Sequence, residues 1–326
     1  MLRYVIRRVL YAIPILIGVN LLTFALFFVV NTPDDMARMQ LGVKRVTPEA
    51  IENWKRDRGY DKPLVLNSAA TGFAKVTDTI FWNHSARLFV LDFGKAESDG
   101  RDIRHQIATR MGPSLAIALP VFLVGMATYI TFALLMALLR ATYLDFSGVV
   151  LCVAAMSISS MFYIIGGQYL VSKLWNLVPI SGFAGDLSAW RFMILPVAVG
   201  LLGGFGESSR WYRTIFLEEI NRDYVRTARA KGLPEGRVLI HHVLRNALIP
   251  ILTGAVVAIP TLFLGSLVTE SFFGIPGLGS YTIDAISSQD FTVVRSMVFL
   301  GSILYIVGLI LTDISYTIVD PRIRFE

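Results

Sequence analysis

Uncharged apolar runs dominate the chain, at 9–30, 111–139, 146–172, 248–269 and 296–312. Each reaches the roughly 17–25 apolar residues that carry a helix across a bilayer. A sixth run, 192–206, is interrupted at Glu207. It crosses only if the helix continues through Glu207 and Arg210 with those side chains snorkelling or facing other helices. This pattern predicts an all-α integral membrane protein of six transmembrane helices. Arg3, Arg7 and Arg8 precede the first run, as in a secretory leader. The run is about twice a leader's apolar length, however, and "FFVVNTPDD" offers no small-residue cleavage site.

Between the first two runs lies a polar stretch, 31–110, with 13 Lys/Arg and 11 Asp/Glu. Within it "TPEAIENWKRDRGYDKPL" reads as a helix with Thr47 as N-cap, Pro48 in the first turn and Gly59 as the stop. We expect a partly ordered insertion here, the alternative being an extended surface loop. The expected division is 1–30 (N-terminus and first span), 31–110 (insertion) and 111–326 (core of five spans, with a basic loop at 213–247).

Charge sets the orientation. The N-terminus carries three arginines, segment 213–245 has seven Lys/Arg against four acids, and the tail adds Arg322 and Arg324. Segment 175–190 has no Lys or Arg before Arg191, only Asp186, and 271–294 has none, with Asp284 and Asp290. Short basic loops stay cytoplasmic, so both termini and 213–247 are expected in the cytosol and 31–110 outside. The formal net charge of +6 therefore needs no nucleic acid. The single cysteine, Cys152, lies in an expected span, which leaves no disulfide framework or thiolate metal site.

One segment breaks the apolar pattern. "RTARAKGLPEGRVLIHHVLRNALIP" (226–250) has five Arg or Lys residues and a Gly-Leu-Pro break. Upstream, Leu217, Ile220, Tyr224 and Ala228 recur three or four apart, predicting one helical face over 217–231. Gly232 then suits a left-handed cap and Pro234 the first turn of a second short helix toward Asn246. Three readings compete for this hairpin. It can be a solvated loop that fixes orientation. It can be a DNA-reading helix–turn–helix, although its short tethers hold it against the bilayer. Or it can dock in a partner, with Ala228 and Gly232 permitting close approach and Arg226, Arg229 and Arg237 making charge-assisted contacts at the rim.

"YVRTARAKGL" followed by "RVLIHHVLRNALIP" resembles the EAA loop of permease subunits in binding-protein-dependent ABC importers, in its dipeptide/oligopeptide/nickel form. "LDFGKAESDGRDIRHQIATRMGPSLAIAL", "ESFFGIPGLGSYTIDAISSQDFTVV" and "LYIVGLILTDISYTIVDPRIR" resemble further segments of that branch, and "MLRYVIRRVLYAIPILIGV" the first span of its B-type subunit. The resemblance covers about 90–326 well and 1–30 moderately. It implies a coupling helix that docks on an ATP-hydrolysing subunit, with Tyr224, Arg226, Thr227, Ala228, Arg229, Gly232, Leu233 and Arg237 in the loop. Arg226, Thr227 and Ala228 stand at the Glu-Ala-Ala triplet without its Glu, Arg245 replaces a downstream proline, and Ser159 replaces a proline of a Ser-Ile-Pro-Ser stretch. That last change removes the covalent reason for a kink in the third span.

The resemblance further implies a second permease of similar fold, two ATP-binding subunits, an extracytoplasmic substrate-binding protein and contact with membrane lipid. It implies no cofactor in this chain, with ATP and Mg on the partner ATPases. The implied cargo is a small solute, di- or oligopeptide first, although related systems carry nickel, glutathione, sugars or opines.

The sequence has no G-x-x-x-x-G-K-[ST] phosphate loop, H-E-x-x-H, CxxC or G-x-S-x-G. Adjacent His241 and His242 point about 100° apart on a helix and do not share a metal easily. His84 and His105 lack ligand spacing. Asp313 lies inside the last span and needs a partner, for which Arg210 or Arg213 are candidates. Small and hydroxyl residues Ser157, Ser159, Ser160, Thr261, Gly265 and Ser266 serve helix packing or line a path, and Pro260 can kink the fifth span. An ion-gradient transporter would carry several midspan ionisable groups and often an inverted repeat. Apart from Asp313 and the Glu207/Arg210 pair neither is present. A membrane receptor with a basic docking loop is the remaining alternative.

Overall fold

The computed structural model describes residues 2–42, 46–185 and 189–319. Asp186, Asp320 and the tail arginines Arg322 and Arg324 lie outside the described residues. In chain order the helices are α1 (Leu2–Ala25, extended by a π-helical turn, Leu26–Val30), α2 (Pro33–Leu41), α3 (Pro48–Arg58), α4 (Ala74–Thr77), α5 (Ile80–His84), α6 (Ile103–Leu138), α7 (Tyr143–Ser157), α8 (Ser160–Gly167, continued as a π turn, Gln168–Leu174), α9 (Ala189–Ile220), α10 (Asp223–Ala230), α11 (Glu235–Val238), α12 (Arg245–Thr261), α13 (Leu267–Phe273), α14 (Leu278–Ser287) and α15 (Phe291–Val319). No strand occurs among the described residues.

Among those residues, five helical stretches are long and apolar enough to cross a membrane: Ile6–Val30, Ile103–Leu138, Ala189–Ile220, Glu235–Leu264 and Phe291–Ser315. The sixth expected span is a bent pair, Tyr143–Ser157 and Ser160–Leu174, turned by 86°. The doubtful fourth run is therefore helical straight through Glu207 and Arg210. Both side chains are exposed on it, in keeping with snorkelling.

The third run departs from expectation, because it bends sharply without a proline. Ile158 and Ser159 adopt extended backbone (ψ 123 and 144), and the helix restarts at Ser160. The break exposes carbonyls of the last α7 turn, and the Tyr163 hydroxyl donates to one of them, Ala155, at 2.9 Å. The Ser157 hydroxyl bonds back to the Val153 carbonyl at 2.8 Å. The Tyr163 hydroxyl thus supplies a donor to a carbonyl that the break withdraws from the regular helical ladder, while the Ser157 bond is a back-bond within α7.

The chain forms two compact units. Among the described residues, one comprises 2–110 with 281–310, the other 111–280 with 311–319. In the first unit the insertion is folded rather than extended. Helix α3 has the expected Thr47 cap, with its side chain accepting from Ala50 N, and Gly59 stops it at φ +69. Phe24, Phe28, Met36, Ile51, Trp54, Tyr60, Ile80 and Phe291 form a buried core. Around it Glu97 accepts hydrogen bonds from Tyr60 Oη (2.7 Å) and Thr292 Oγ1 (2.5 Å), and Asp290 accepts from the Ser98 amide and hydroxyl at 2.9 Å. Burial holds the Tyr60 phenol well above its usual range, so it remains a donor to Glu97. Burial also pushes His84 down to about 3, with the Arg295 charge adding to the effect.

In the second unit α7 and α9 pack at backbone distance. A side chain at Gly206 would meet the Cys152 carbonyl oxygen and lie 2.6 Å from Met156 Cγ. Arg213 on α9 grips Asp145 on α7 with both Nε (2.9 Å) and Nη2 (2.8 Å). Arg213, one of the two arginines expected near Asp313, has its fork on Asp145. Arg210 instead directs Nη1 to the Met156 sulfur at 3.7 Å, and Asp313 sits half-buried on α15.

Candidate docking hairpin and translocation chamber

The basic hairpin is built on the end of α9. That helix does not run on to Lys231 as the apolar spacing predicts, because it stops at Ile220 and Arg222 turns extended (ψ 150) before α10 begins. The buried positions Val225 and Ala228 of α10 pack with Phe216, Ile220, Val238, Leu239 and Val243. Tyr224 donates its hydroxyl to Glu219, tying α10 to the last turn of α9. Burial raises that phenol to about 12, so it is protonated at neutral pH and available as the donor.

Ala228 is only 4% exposed, which corrects its expected role. Its small side chain seats α10 on the chain's own core instead of offering close approach to a partner. The apolar period identified the inner face correctly, but an alanine on such a face is buried by whichever surface lies nearer. The outward face comprises Arg226, Thr227, Arg229 and, past the helix, Gly232 and Arg237, all exposed, with Leu233 half-buried. Arg229 is forked onto Glu235 and bridges the two arms of the hairpin.

Gly232 ends α10 as expected. At φ +76 its N–H donates to Arg229 O (2.9 Å), and the Leu233 N–H donates to Ala228 O (3.4 Å). These are the 5→2 and 6→1 bonds of a Schellman cap, which requires the left-handed conformation that glycine adopts at least cost. Nothing lies within 4 Å of where its β-carbon would be, so the position is open. Beyond Pro234 the second arm does not end near Asn246. From Glu235 the chain is helical through a π turn at Leu239–Leu244 and on through α12 to Thr261. The hairpin and the membrane helix are one rod.

A cavity of ≈ 550 Å³ opens within the second unit. Three of the expected path-lining residues, Thr261, Gly265 and Ser266, border it. Ser157, Ser159 and Ser160 do not; they belong to the broken span, where the Ser157 hydroxyl donates to Val153 O and the Ser159 carbonyl accepts the Phe162 and Tyr163 amides. The rest of the wall is largely apolar and aromatic, including Tyr129 and Trp211. The span expected over 248–269 is interrupted at this cavity. Helix α12 ends in a tight turn at Leu262–Leu264, Gly265 takes φ +70, and α13 starts at Leu267. The acid on the wall, Glu270, escaped the sequence reading although it lies within the quoted stretch. Its signal was the glycine density around it, at Gly265, Gly274, Gly277 and Gly279.

No cluster of three or more His, Cys, Asp or Glu suited to a metal occurs among the described residues. The arrangement is thus a cavity among long apolar helices, bordered at Thr261 by a continuous helical stretch that begins in the hairpin. Residues 107–325 match the family described as "Binding-protein-dependent transport system inner membrane component", and residues 1–89 match its N-terminal companion. The chain belongs to that family. It is a permease subunit of an ABC importer, an integral inner-membrane component of a binding-protein-dependent system. Similarity extends end to end to a protein of Brucella abortus named for a peptide transport system (32% identical, 99% of each chain). It extends likewise to the dipeptide transport system permease DppB of Escherichia coli (30%, all of each chain) and to the di/tripeptide permease DppB of Pseudomonas aeruginosa (31%, all of each chain). These matches cover the insertion at 31–89 that the motif resemblance had left poorly matched.

Proposed function

We propose that this permease imports di- or oligopeptides, using an exposed hairpin at 223–237 to take up force from a separate ATPase subunit and pass it to the chamber wall. The reading rests foremost on the unbroken helix from Glu235 to Thr261. A rigid rod transmits a displacement at its tip, and Thr261 at its far end borders the chamber. Closure of an ATPase pair gripping Arg226, Thr227, Arg229, Gly232 and Arg237 would then tilt α12 and switch the chamber between two accesses. The peptide cargo rests on the naming of relatives that align with the whole chain.

The working complex comprises this chain, a second permease of similar fold, two ATP-binding subunits carrying ATP and Mg, and an extracytoplasmic binding protein. Both termini and the hairpin face the cytosol, and 31–110 faces the binding protein. The test is purification of the tagged chain from its native membrane followed by reconstitution. Two ATPase chains and a second permease should co-purify, and uptake of a labelled dipeptide should require ATP. A homodimer that transports with an ion gradient alone would overturn the reading.

A further inference from the structure

Glu270 is 1% exposed, on a wall of the chamber. Its carboxylate accepts hydrogen bonds from the amides of Ser266 (3.1 Å), Gly279 (2.8 Å) and Ser280 (3.1 Å). The Ser114 hydroxyl of α6 also bonds to it and accepts the Leu278 amide at 2.8 Å. A β-carbon at Gly265 or Gly277 would overlap the carboxylate, and one at Gly279 would lie 2.6 Å from the Ser266 carbonyl. The backbone at Gly265 and Gly277 therefore closes directly on the acid, and that at Gly279 on the Ser266 carbonyl. Among the described residues these partners are three amides and a hydroxyl, none of them a cation. The charge is held by amide and hydroxyl dipoles, including the first turn of α14, where an anion is favoured. A carboxylate has about four good acceptor positions, and four donors fill them here. It is left with no site for a solute.

We propose that Glu270 is a positioning residue of the chamber. It pins α13 to α14 and α6 as a fixed wall, so that cargo passes over Ser266 and Thr269 rather than binding the acid. Other bonds anchor the far end of α13, with Gln168 Nε2 donating to Phe272 O at 3.0 Å and Gly182 N to Phe273 O at 2.7 Å. The near end, which borders the cavity, is held through Glu270. The functional part of this inference rests on the chamber being the path for cargo; the pin itself does not.

The test is Glu270→Gln in the complete transporter, with its partner permease, ATPase subunits and binding protein, in proteoliposomes. The amide matches the carboxylate in shape but turns an NH₂ toward at least one N–H donor. Hydrogen exchange at Ser266, Gly279 and Ser280 should accelerate about tenfold or more, the scale of losing one charge-assisted hydrogen bond. Exchange in α7 and α9 should stay unchanged. The maximal rate of di-alanine uptake should fall about tenfold at an unaltered half-saturating concentration. Unchanged exchange at the three amides overturns the pin. So does an effect confined to the half-saturating concentration, which marks direct contact with cargo. Should the variant fail to assemble, Ser114→Ala decides, since it removes one donor without stranding a charge. Faster exchange at Leu278 and Gly279 with slower uptake supports the pin, and wild-type behaviour overturns it. If the wild-type transporter takes up no peptide, the cargo assignment fails, while the exchange data still decide the role of Glu270.

Discussion

At the scale of single residues, Gly232 and His84 carry the clearest consequences. Gly232 combines a left-handed backbone with open space around it. Replacement by valine forces a β-branched side chain into φ > 0, at a cost of about 1–3 kcal/mol, and places bulk on the outward face of the hairpin. Gly232→Ala strains the backbone but adds little bulk. Membrane insertion should survive both changes. ATP-driven uptake should collapse with valine and fall less with alanine, as measured in vesicles containing matched amounts of transporter. Equal and mild effects would reduce Gly232 to a helix cap.

His84 stays neutral in the fold, pushed to about 3 from an ordinary 6.5 by burial and then by the Arg295 charge. Between those values the unfolded chain binds a proton that the folded chain refuses, so stability rises with pH across this window. Its contribution is complete above pH 6.5 and is lost as the pH falls toward 3. Proteolysis of the 31–110 segment should therefore accelerate on acidification through that range. His84→Phe should flatten the response, and an unflattened slope would assign it to other groups.

At the scale of elements, the α7–α9 contact should be the least forgiving in the second unit. Gly206→Ala drives a methyl group into the Cys152 carbonyl and Met156, an overpacking that costs about 1–3 kcal/mol, visible as a lower thermal midpoint in detergent. The Asp145–Arg213 fork clamps the same pair of helices. Asp145→Asn should cost about 1.5–3 kcal/mol, the range for hydrogen bonds to charged groups. Combining it with Arg213→Met should recover part of that loss, because the stranded guanidinium goes as well. Strict additivity in the double variant would mean that the two side chains act independently.

At the scale of the whole molecule, the continuity of hairpin and span carries the proposed mechanism. Two glycines inserted after His242 would soften the rod, since each costs about 1 kcal/mol of helix propensity. The complex should still assemble and hydrolyse ATP, while uptake falls relative to hydrolysis. Normal coupling in that variant would mean that force travels by another route. Much of this architecture was legible in the chain. Apolar run lengths located the spans, Thr47, Pro48 and Gly59 bounded α3, and the spacing of Leu217, Ile220 and Ala228 marked the inner face of the hairpin. The readings that failed were those that depended on a neighbour. Arg213 grips Asp145, an acid 68 positions away that no local spacing singles out, and Ser159 gave no hint that the span bends by 86° without a proline.

What the sequence determined alone is whatever follows from local geometry: the place of each span from its apolar run, caps from Thr, Pro and Gly, and family membership from the motif around 224–250. What only the tertiary structure decided is which surfaces meet. Ala228 faces its own core, three of the six small path candidates border the chamber, and a glutamate among glycines becomes a buried pin. Burial of a side chain depends on segments distant in sequence, and no local pattern encodes their approach.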